Sequence, residues 1–395
     1  MENPRNLSTN SIGFCLLPSE LIHRILLNLL IPEILCLKSL NKSLSDLISD
    51  QHFVRYYNSR SKSTTWLFVY KKRWHRDAVL HGFSNQSDRW FKLQIVNLLK
   101  PLISPGESIY FLTASGDVFL FSSNTRKAVI AVNLSAKTVK RIPPSPLGPR
   151  GTSSWRRSGM KLVSGSNSFR FLFAELVENR PVLFVYTSET DKWLSMEARE
   201  NFAGLPRGFQ REDDYIFLNV VNGPYESVVM MAGFESDDAP VVVRPRFEGG
   251  GDDEQQLTVG YSWGNVIDRL YVHGDGHMLI IKSNGVGDAD TGARMLNGIE
   301  LWALGSSGGQ WERNSKVPSR IMEEIMKPYR VIMGCLERRD GVIRAVLLSN
   351  CEVLWDIIWL SYDINRCYWT LIPVPNCNMK GLNMAGIAFS SGLTL

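Results

Sequence analysis

Residues 17–53 read LPSELIHRILLNLLIPEILCLKSLNKSLSDLISDQHF, and their spacing predicts two short apolar helices with readable start signals. Ser19 is expected to cap the first. Leu21, Ile22, Ile25, Leu26 and Leu29 then recur at helical spacing on one face, with Glu20, His23, Arg24 and Asn28 on the other. Pro32 suits the first position of a second helix, where its missing N–H is not needed and Glu33 complements the helix dipole. Leu37, Leu40, Leu44, Leu47 and Ile48 supply the second stripe. A segment of about 40 residues is too small to bury both stripes by itself, so the rest of the chain or another protein must cover them.

Working outward, the grammar changes from about residue 62. Short runs of β-branched and aromatic residues alternate with Gly, Asn, Asp and Ser, as in an all-β fold. Within it an apolar residue is repeatedly followed seven positions later by Trp: Phe83 and Trp90, Tyr186 and Trp193, Leu304 and Trp311, Tyr362 and Trp369. Val132 and Val139 stand in the same frame. Seven positions fit a four-residue hairpin loop plus one cross-strand step, which sets the two side chains together on one face. The second members fall at 90, 139, 193, 311 and 369, and the double-length step between the third and fourth predicts a degenerate copy near residue 250, around Val241-Val242-Val243. Six units of about 50–60 residues are therefore expected, a period that suits propeller blades. Inner strands are expected at 109–112, 169–173, 215–218, 270–272 and 342–347, and residues 384–389 are expected to close the ring.

The residues at 17–53 resemble the F-box, in which Leu-Pro, an acidic residue, Leu-Ile, Ile-Leu and a later Leu-Ile-x-Asp occur at these spacings. Leu17, Pro18, Glu20, Leu21, Ile22, Ile25, Leu26, Leu47, Ile48, Asp50 and Phe53 match, while Asn41-Lys42-Ser43-Leu44 stands where that family carries Cys-Lys-x-Trp. With the repeats, nearly the whole chain from about residue 14 resembles plant F-box proteins with a kelch-like C-terminal domain. Gly-Gly occurs only at 249–251 and 308–309, away from the strand ends where kelch blades carry it. The resemblance implies an α+β multidomain fold: a disordered N-terminus at 1–13, a helical F-box at 14–60, and an all-β kelch-like propeller at 62–395 with six blades favoured and seven the competitor. It implies a substrate-recognition subunit of a Skp-cullin-F-box ubiquitin ligase. Leu17, Pro18, Leu21, Ile22, Ile25, Leu26, Leu29, Pro32, Leu35, Leu47 and Ile48 would dock on the Skp-type adaptor, and through it on the cullin-RING ligase. The propeller would hold an unknown protein substrate for ubiquitination.

Composition bounds the remaining classes. The chain has 395 residues, 44% of them hydrophobic and 10% aromatic, as expected for globular domains rather than a disordered scaffold. The apolar run at 16–40 is broken by Glu20, His23, Arg24 and Glu33, so no membrane span and no secretory leader are expected. Six scattered cysteines form neither a C-x-x-C pair nor a disulfide framework, which points to the cytosol or nucleus. No Asp or Glu lies between Val118 and Ala174, while ten Lys and Arg do, from Arg126 to Arg170; acidic clusters follow at 212–214, 235–238 and 252–254. Such segregation either steers a charged partner or disperses over separate loops.

Catalytic motifs are absent from the sequence. His273 and His277 flank a tight turn, Gly274-Asp275-Gly276, without a third metal ligand nearby, and no Ser, Cys or Asp stands in a nucleophile context such as G-x-S-x-G. Gly285-Val286-Gly287 lacks the Lys-Ser/Thr ending of a phosphate loop. No catalytic residue, metal or cofactor is assigned, and the chain is expected to be a non-catalytic adaptor subunit. The functional-loop candidate is PPSPLGPRGTSSWRR at 143–157, where either Trp155, Arg156 and Arg157 offer an aromatic anchor and two guanidinium forks to an acidic or phosphorylated substrate, or the segment is an inter-blade loop with Trp155 tucked against the propeller. Lys71-Lys72-Arg73-Trp74-His75-Arg76 reads as a solvated strand end rather than a nucleic-acid patch. The rival readings are a propeller that binds a small molecule or RNA without any ubiquitin role and, last, a propeller hydrolase or oxidase.

Overall fold

A computed structural model describes residues 17–61, 64–72, 79–84, 86–87, 89–93, 95–104, 107–165, 168–200, 215–222, 226–233, 239–244, 246–247, 269–272, 279–287, 294–305, 310–329, 331–351, 354–375, 379–380 and 383–394. The expected disordered segment 1–13 lies outside them. The chain divides into two compact units, one of residues 1–64 with 392–395 and one of residues 65–391.

The first unit is helical: α1 (Ser19–Leu27), α2 (Ile31–Lys38), α3 (Lys42–Ser49) and α4 (Gln51–Ser61). Four helices replace the expected two, and polar side chains mark the breaks. The stripe read as one second helix is cut at Asn41, whose Oδ1 accepts from Leu44 N–H at 2.8 Å and restarts the chain as α3. Asp50 likewise starts α4 by accepting from the N–H groups of His52 and Phe53, and the Phe53 contact holds its carboxyl below the ordinary range. Ser19 is the first helical residue of α1 rather than its cap, since Pro18 holds that position with no side-chain bond. Pro32 is the second residue of α2 rather than the first, and Glu33 accepts the Leu30 N–H at 2.9 Å. Ile22, Leu26, Ile31, Ile34, Leu44, Ile48, Phe53 and Tyr57 are buried. Tyr57 donates its hydroxyl to the Leu29 carbonyl at 2.8 Å and so pins α4 to the α1–α2 link.

The second unit is a β-propeller. Its first sheet contains β1 (Thr65–Lys72), β2 (Val79–Ser84) and β3 (Phe91–Leu93), followed by a short helix, α5 (Val96–Leu99). The second is β4 (Ile109–Ser115), β5 (Val118–Ser123), β6 (Ala128–Asn133) and β7 (Thr138–Ile142). Helix α6 (Thr152–Arg157) leads to the third: β8 (Gly159–Ser164), β9 (Phe169–Val177), β10 (Arg180–Thr187) and β11 (Lys192–Glu197). The fourth comprises β12 (Arg199–Glu200), β13 (Tyr215–Asn222), β14 (Glu226–Gly233) and β15 (Val241–Val243). The fifth comprises β16 (Arg246–Phe247), β17 (Arg269–Val272), β18 (Leu279–Gly287), β19 (Arg294–Leu304) and β20 (Gln310–Lys316); after α7 (Ser319–Ile325), β21 (Pro328–Tyr329) returns to pair β19. The last has β22 (Val331–Arg339), β23 (Val342–Cys351), β24 (Leu354–Asp363) and β25 (Tyr368–Ile372), with β26 (Met379–Lys380) on β24. The final strand, β27 (Asn383–Ser391), pairs antiparallel with β1 and completes the first sheet, as the sequence predicted for residues 384–389.

Five of these sheets are complete four-stranded antiparallel blades; the fourth has three antiparallel strands, β13 to β15, and takes the two-residue β12 in parallel where an outer strand would run. Six like units are thus corrected to five complete blades and one incomplete sheet. The irregular unit is the one whose Trp-bearing hairpin is missing from the sequence, and Val241–Val243 is its last antiparallel strand.

The seven-residue spacing survives in full. Tyr186 faces Trp193, Tyr362 faces Trp369, Leu304 faces Trp311 and Val132 faces Val139 across the third-to-fourth strand hairpins, and the rings of Phe83 and Trp90 lie 5.1 Å apart. Four-residue loops with their last residue at positive φ close three of these hairpins, at Lys137, Asp191 and Cys367, and Lys127 ends the like loop between β5 and β6. Three of the tryptophans also staple neighbouring sheets. Trp193 Nε1 donates to the Pro143 carbonyl just past β7 at 3.0 Å, Trp369 Nε1 to Ser315 Oγ in β20 at 2.8 Å, and Trp90 Nε1 to the Pro375 carbonyl just past β25 at 2.8 Å.

Inner strands are β27, β4, β8, β13, β17 and β22, the strands that end the sheets and meet one another as β27–β4, β4–β8, β8–β13, β17–β22 and β22–β27. Two expected inner strands, 169–173 and 342–347, are corrected to second strands, β9 and β23. Second and third strands are covered by sheets on both sides and read as unbroken apolar runs, as in the wholly buried β5, whereas β8 is buried at only two of six positions.

Candidate functional site

The helical unit divides the adaptor-binding candidates into two groups. Ile22, Leu26 and Ile48 are 7%, 0% and 0% exposed and form the unit's own core, so they position the face rather than offer it. Leu17, Leu29, Pro32 and Leu47 are half-buried, and Pro18 is exposed. Leu21 and Ile25, one turn apart on α1, are 45% and 41% exposed; Leu35 on α2 is 37% exposed, and Leu40 just beyond it 68%. Leu40, read as part of the second stripe, was not among the adaptor-binding candidates. It is turned out because α2 ends before it and Asn41 opens a new helix.

The structure decides between the two readings of the Pro-rich candidate. Residues 152–157 form α6, whose first N–H groups include Thr152 N–H donating to Asn124 Oδ1 at 2.9 Å. Trp155 is 3% exposed, with its ring 5.5 Å from Phe171 and 5.0 Å from Phe173 in the core between the second and third sheets. It anchors the segment to the blade and is not free to insert into a partner. Arg156 and Arg157 occupy the last turn of α6.

A residue the sequence reading did not single out holds this segment. The Arg150 guanidinium lies 4.7 Å from the Trp155 ring centroid and 5.0 Å from that of Phe173, donates to Ser158 Oγ at 2.9 Å and pairs with the Glu175 carboxylate. Stacking on two rings plus a hydrogen-bonded carboxylate explains how a guanidinium is accommodated with its side chain 9% exposed. Its neighbours in the acid-free block are also engaged. Arg126 reaches Glu107, the Leu102 carbonyl and Ser104, and Lys140 pairs with Asp191 at 3.0 Å. These acids lie outside residues 118–174, so the linear segregation of charge is undone in space at these positions. The acidic clusters at 212–214, 235–238 and 252–254 lie outside the described residues.

Lys140 belongs to an inter-blade clasp. Tyr186 donates its hydroxyl to Asp191 Oδ1 at 2.7 Å, and Lys140 Nζ donates to the Ser188 carbonyl at 3.0 Å. The Tyr186 hydrogen bond, reinforced by Lys140, holds the Asp191 carboxyl below its ordinary range. The spacing Tyr186-x4-Asp191-x-Trp193 was the available signal for it.

Reactive chemistry is sparse among the described residues. No group of three or more His, Cys, Asp or Glu could hold a metal there, and His273 and His277 lie outside them. Burial and the nearby Lys71 charge push the His81 imidazole down to about 4, so it is neutral at pH 7. Lys71, read as part of a solvated strand end, is 9% exposed and sits 5.1 Å from the Trp90 ring; residues 73–78 lie outside the described residues. Cys36, Cys335 and Cys367 are free, and burial pushes the Cys335 thiol up, away from thiolate reactivity. No described helix is long and apolar enough to cross a membrane.

No family model matches the chain, and no curated protein matches it. Solved structures similar to it include a prolyl endopeptidase, with 12% identity, a TM-score of 0.35, and coverage of 89% of this chain and 57% of that one. The Trypanosoma rangeli sialidase in complex with 2,3-difluorosialic acid has 10% identity, a TM-score of 0.39, and coverage of 77% and 53%. Citrobacter koseri AztD has 10% identity, a TM-score of 0.30, and coverage of 82% and 97%. The chain thus spans a little over half the length of the endopeptidase and sialidase chains. Likenesses this distant carry no argument about chemistry.

Proposed function

We propose that this chain is a non-catalytic substrate-recognition subunit of a Skp-cullin-F-box ubiquitin ligase, with the helical unit as an F-box and the propeller as a kelch-like target receptor. The observation that supports it is the solvent exposure of Leu21, Ile25, Leu35 and Leu40 on a unit that already fills its own core with other apolar residues. Exposed apolar side chains on helices are what a docking element offers to an adaptor. Its contribution to ubiquitin transfer would be proximity. A target bound to the propeller is held at high effective concentration near the charged conjugating enzyme, so the chain requires no nucleophile of its own. Such a role belongs in the cytosol or nucleus.

The test is calorimetric titration of a Skp-type adaptor into the full chain and into Leu21→Ala/Ile25→Ala. A fully buried Leu or Ile contributes roughly 1.5–3 kcal/mol. These two are already a little over half covered, so docking would add about half of that each, and the double variant should bind roughly 10- to 150-fold more weakly. Leu194→Ala, at an exposed apolar position on β11, is the control and should bind like the parent. Equal affinity of all three proteins would remove α1 from the docking surface, and no binding by the parent chain would end the ligase reading.

A further inference from the structure

Two buried donors in the core between the second and third sheets have no acceptor among the described residues. Arg150 uses Nη2 twice, for Ser158 Oγ at 2.9 Å and for Glu175 Oε2, while its Nη1 is buried and unpaired. Trp155 Nε1 is buried and unpaired as well, although Trp90, Trp193 and Trp369 each donate to a carbonyl or hydroxyl oxygen at 2.8, 3.0 and 2.8 Å. The two groups are neighbours, with the guanidinium carbon 4.7 Å from the indole ring centroid. They cannot satisfy each other, because guanidinium and indole N–H groups only donate. Nor can the walls, since Phe171 and Phe173 bring rings and no side-chain oxygen. A buried donor left unmet costs its full desolvation, so two side by side mark a place built for an acceptor.

The geometry points to a binding site for one internal water molecule, which accepts from Trp155 Nε1 and Arg150 Nη1 and donates to the Glu175 carboxylate. That carboxylate is engaged on one side only: Arg150 and Ser158 both reach Oε2, which leaves Oε1 to the water. A guanidinium set against a carboxylate by one nitrogen and one oxygen has its second rung open, and the water fills that rung. Three hydrogen bonds are about the usual number for a buried water. Charge decides against an anion in the same place. Glu175 already neutralises Arg150, whose side chain is 9% exposed, so a chloride or a carboxylate would add an uncompensated buried charge. The water joins α6, which carries Trp155, to β9, which carries Glu175, and so holds the Pro-rich segment against the third sheet. The site is independent of the ligase reading.

Indole-proton NMR on the full chain tests it, in a deuterated background with protonated tryptophan and phenylalanine. Trp155→Phe identifies the indole resonance, and if that variant does not fold, contacts of the indole proton with the Phe171 and Phe173 rings identify it. The expected result is a rotating-frame Overhauser peak from the Trp155 indole proton to water, with the sign of dipolar transfer rather than of proton exchange. Ser158→Ala should keep that peak, because its source is the bound water and not a hydroxyl proton. No dipolar peak in the parent, or its loss in folded Ser158→Ala, overturns the water site. Exchanging chloride for bromide should leave the indole shift unchanged. A saturating, halide-dependent shift would make the occupant an anion and overturn the proposal.

Discussion

Replacing Gly386 by Ala should damage the propeller far more than the same methyl group added at Gly298. Gly386 lies in β27, the inner strand of the first sheet, where it passes the neighbouring inner strand β4 at Phe111. A Cβ there would stand 2.7 Å from Phe111 Cβ and 2.8 Å from its carbonyl carbon, and the backbone sits at φ +138°, which L side chains rarely adopt. The clashing atoms are backbone or next to it, so no rotamer change relieves them. Backbone strain of about 1–3 kcal/mol and overpacking of about 1–3 kcal/mol give a combined loss of roughly 2–6 kcal/mol. With a urea m-value of about 3 kcal/mol/M, the midpoint should fall by roughly 0.7–2 M. All 11 tryptophans lie at or beyond Trp66, so intrinsic fluorescence follows the β unit without a helical contribution. Gly298→Ala is the control: its Cβ would meet only Lys316 Cε at an ordinary 3.7 Å, and its stability should stay within about 0.5 kcal/mol of the parent's. Coincident midpoints for the two variants would refute the close approach of β27 and β4, and with it the account of ring closure.

Trp193→Phe keeps a ring opposite Tyr186 but deletes the indole donor to the Pro143 carbonyl, and should lower urea stability by about 1 kcal/mol; an unchanged midpoint would mean that the inter-sheet staple contributes nothing. Asp191→Asn retains a residue tolerant of φ +56° while removing the carboxylate that Tyr186 and Lys140 contact. Because the folded carboxyl sits below its ordinary value, its stabilisation is present above the unfolded pKa near 4 and disappears as pH falls through the folded value. Parent and variant midpoints should therefore differ at pH 6 and converge toward pH 2; a pH-independent gap would assign the effect to packing.

Local rules made part of this protein legible. A seven-residue interval encodes a hairpin by itself, because four loop residues and one cross-strand step are fixed by chain geometry, and the pairs Tyr186–Trp193 and Tyr362–Trp369 face each other as that rule demands. The terminal strand at 384–389 was legible for a similar reason: a propeller leaves one blade short of a strand until its last segment returns. Alternatives stayed open where a residue's role depends on what packs over it. The Pro-rich run around Trp155 has the composition of an exposed recognition loop, and only the stacking of Arg150 on Trp155 and Phe173, with Glu175 beside it, turns it inward.

The same division holds in the helical unit. Sequence alone determined that residues 17–53 are amphipathic and helical, since propensity and periodicity act within one turn. The tertiary structure decided which apolar residues are spent on the core and which face outward. Ile22 and Leu21 are adjacent in the chain and equally apolar, yet one is 7% exposed and the other 45%. Burial is a property of the neighbours that arrive from elsewhere in the chain, such as Tyr57 folding back to the Leu29 carbonyl, and no period along a single helix contains them.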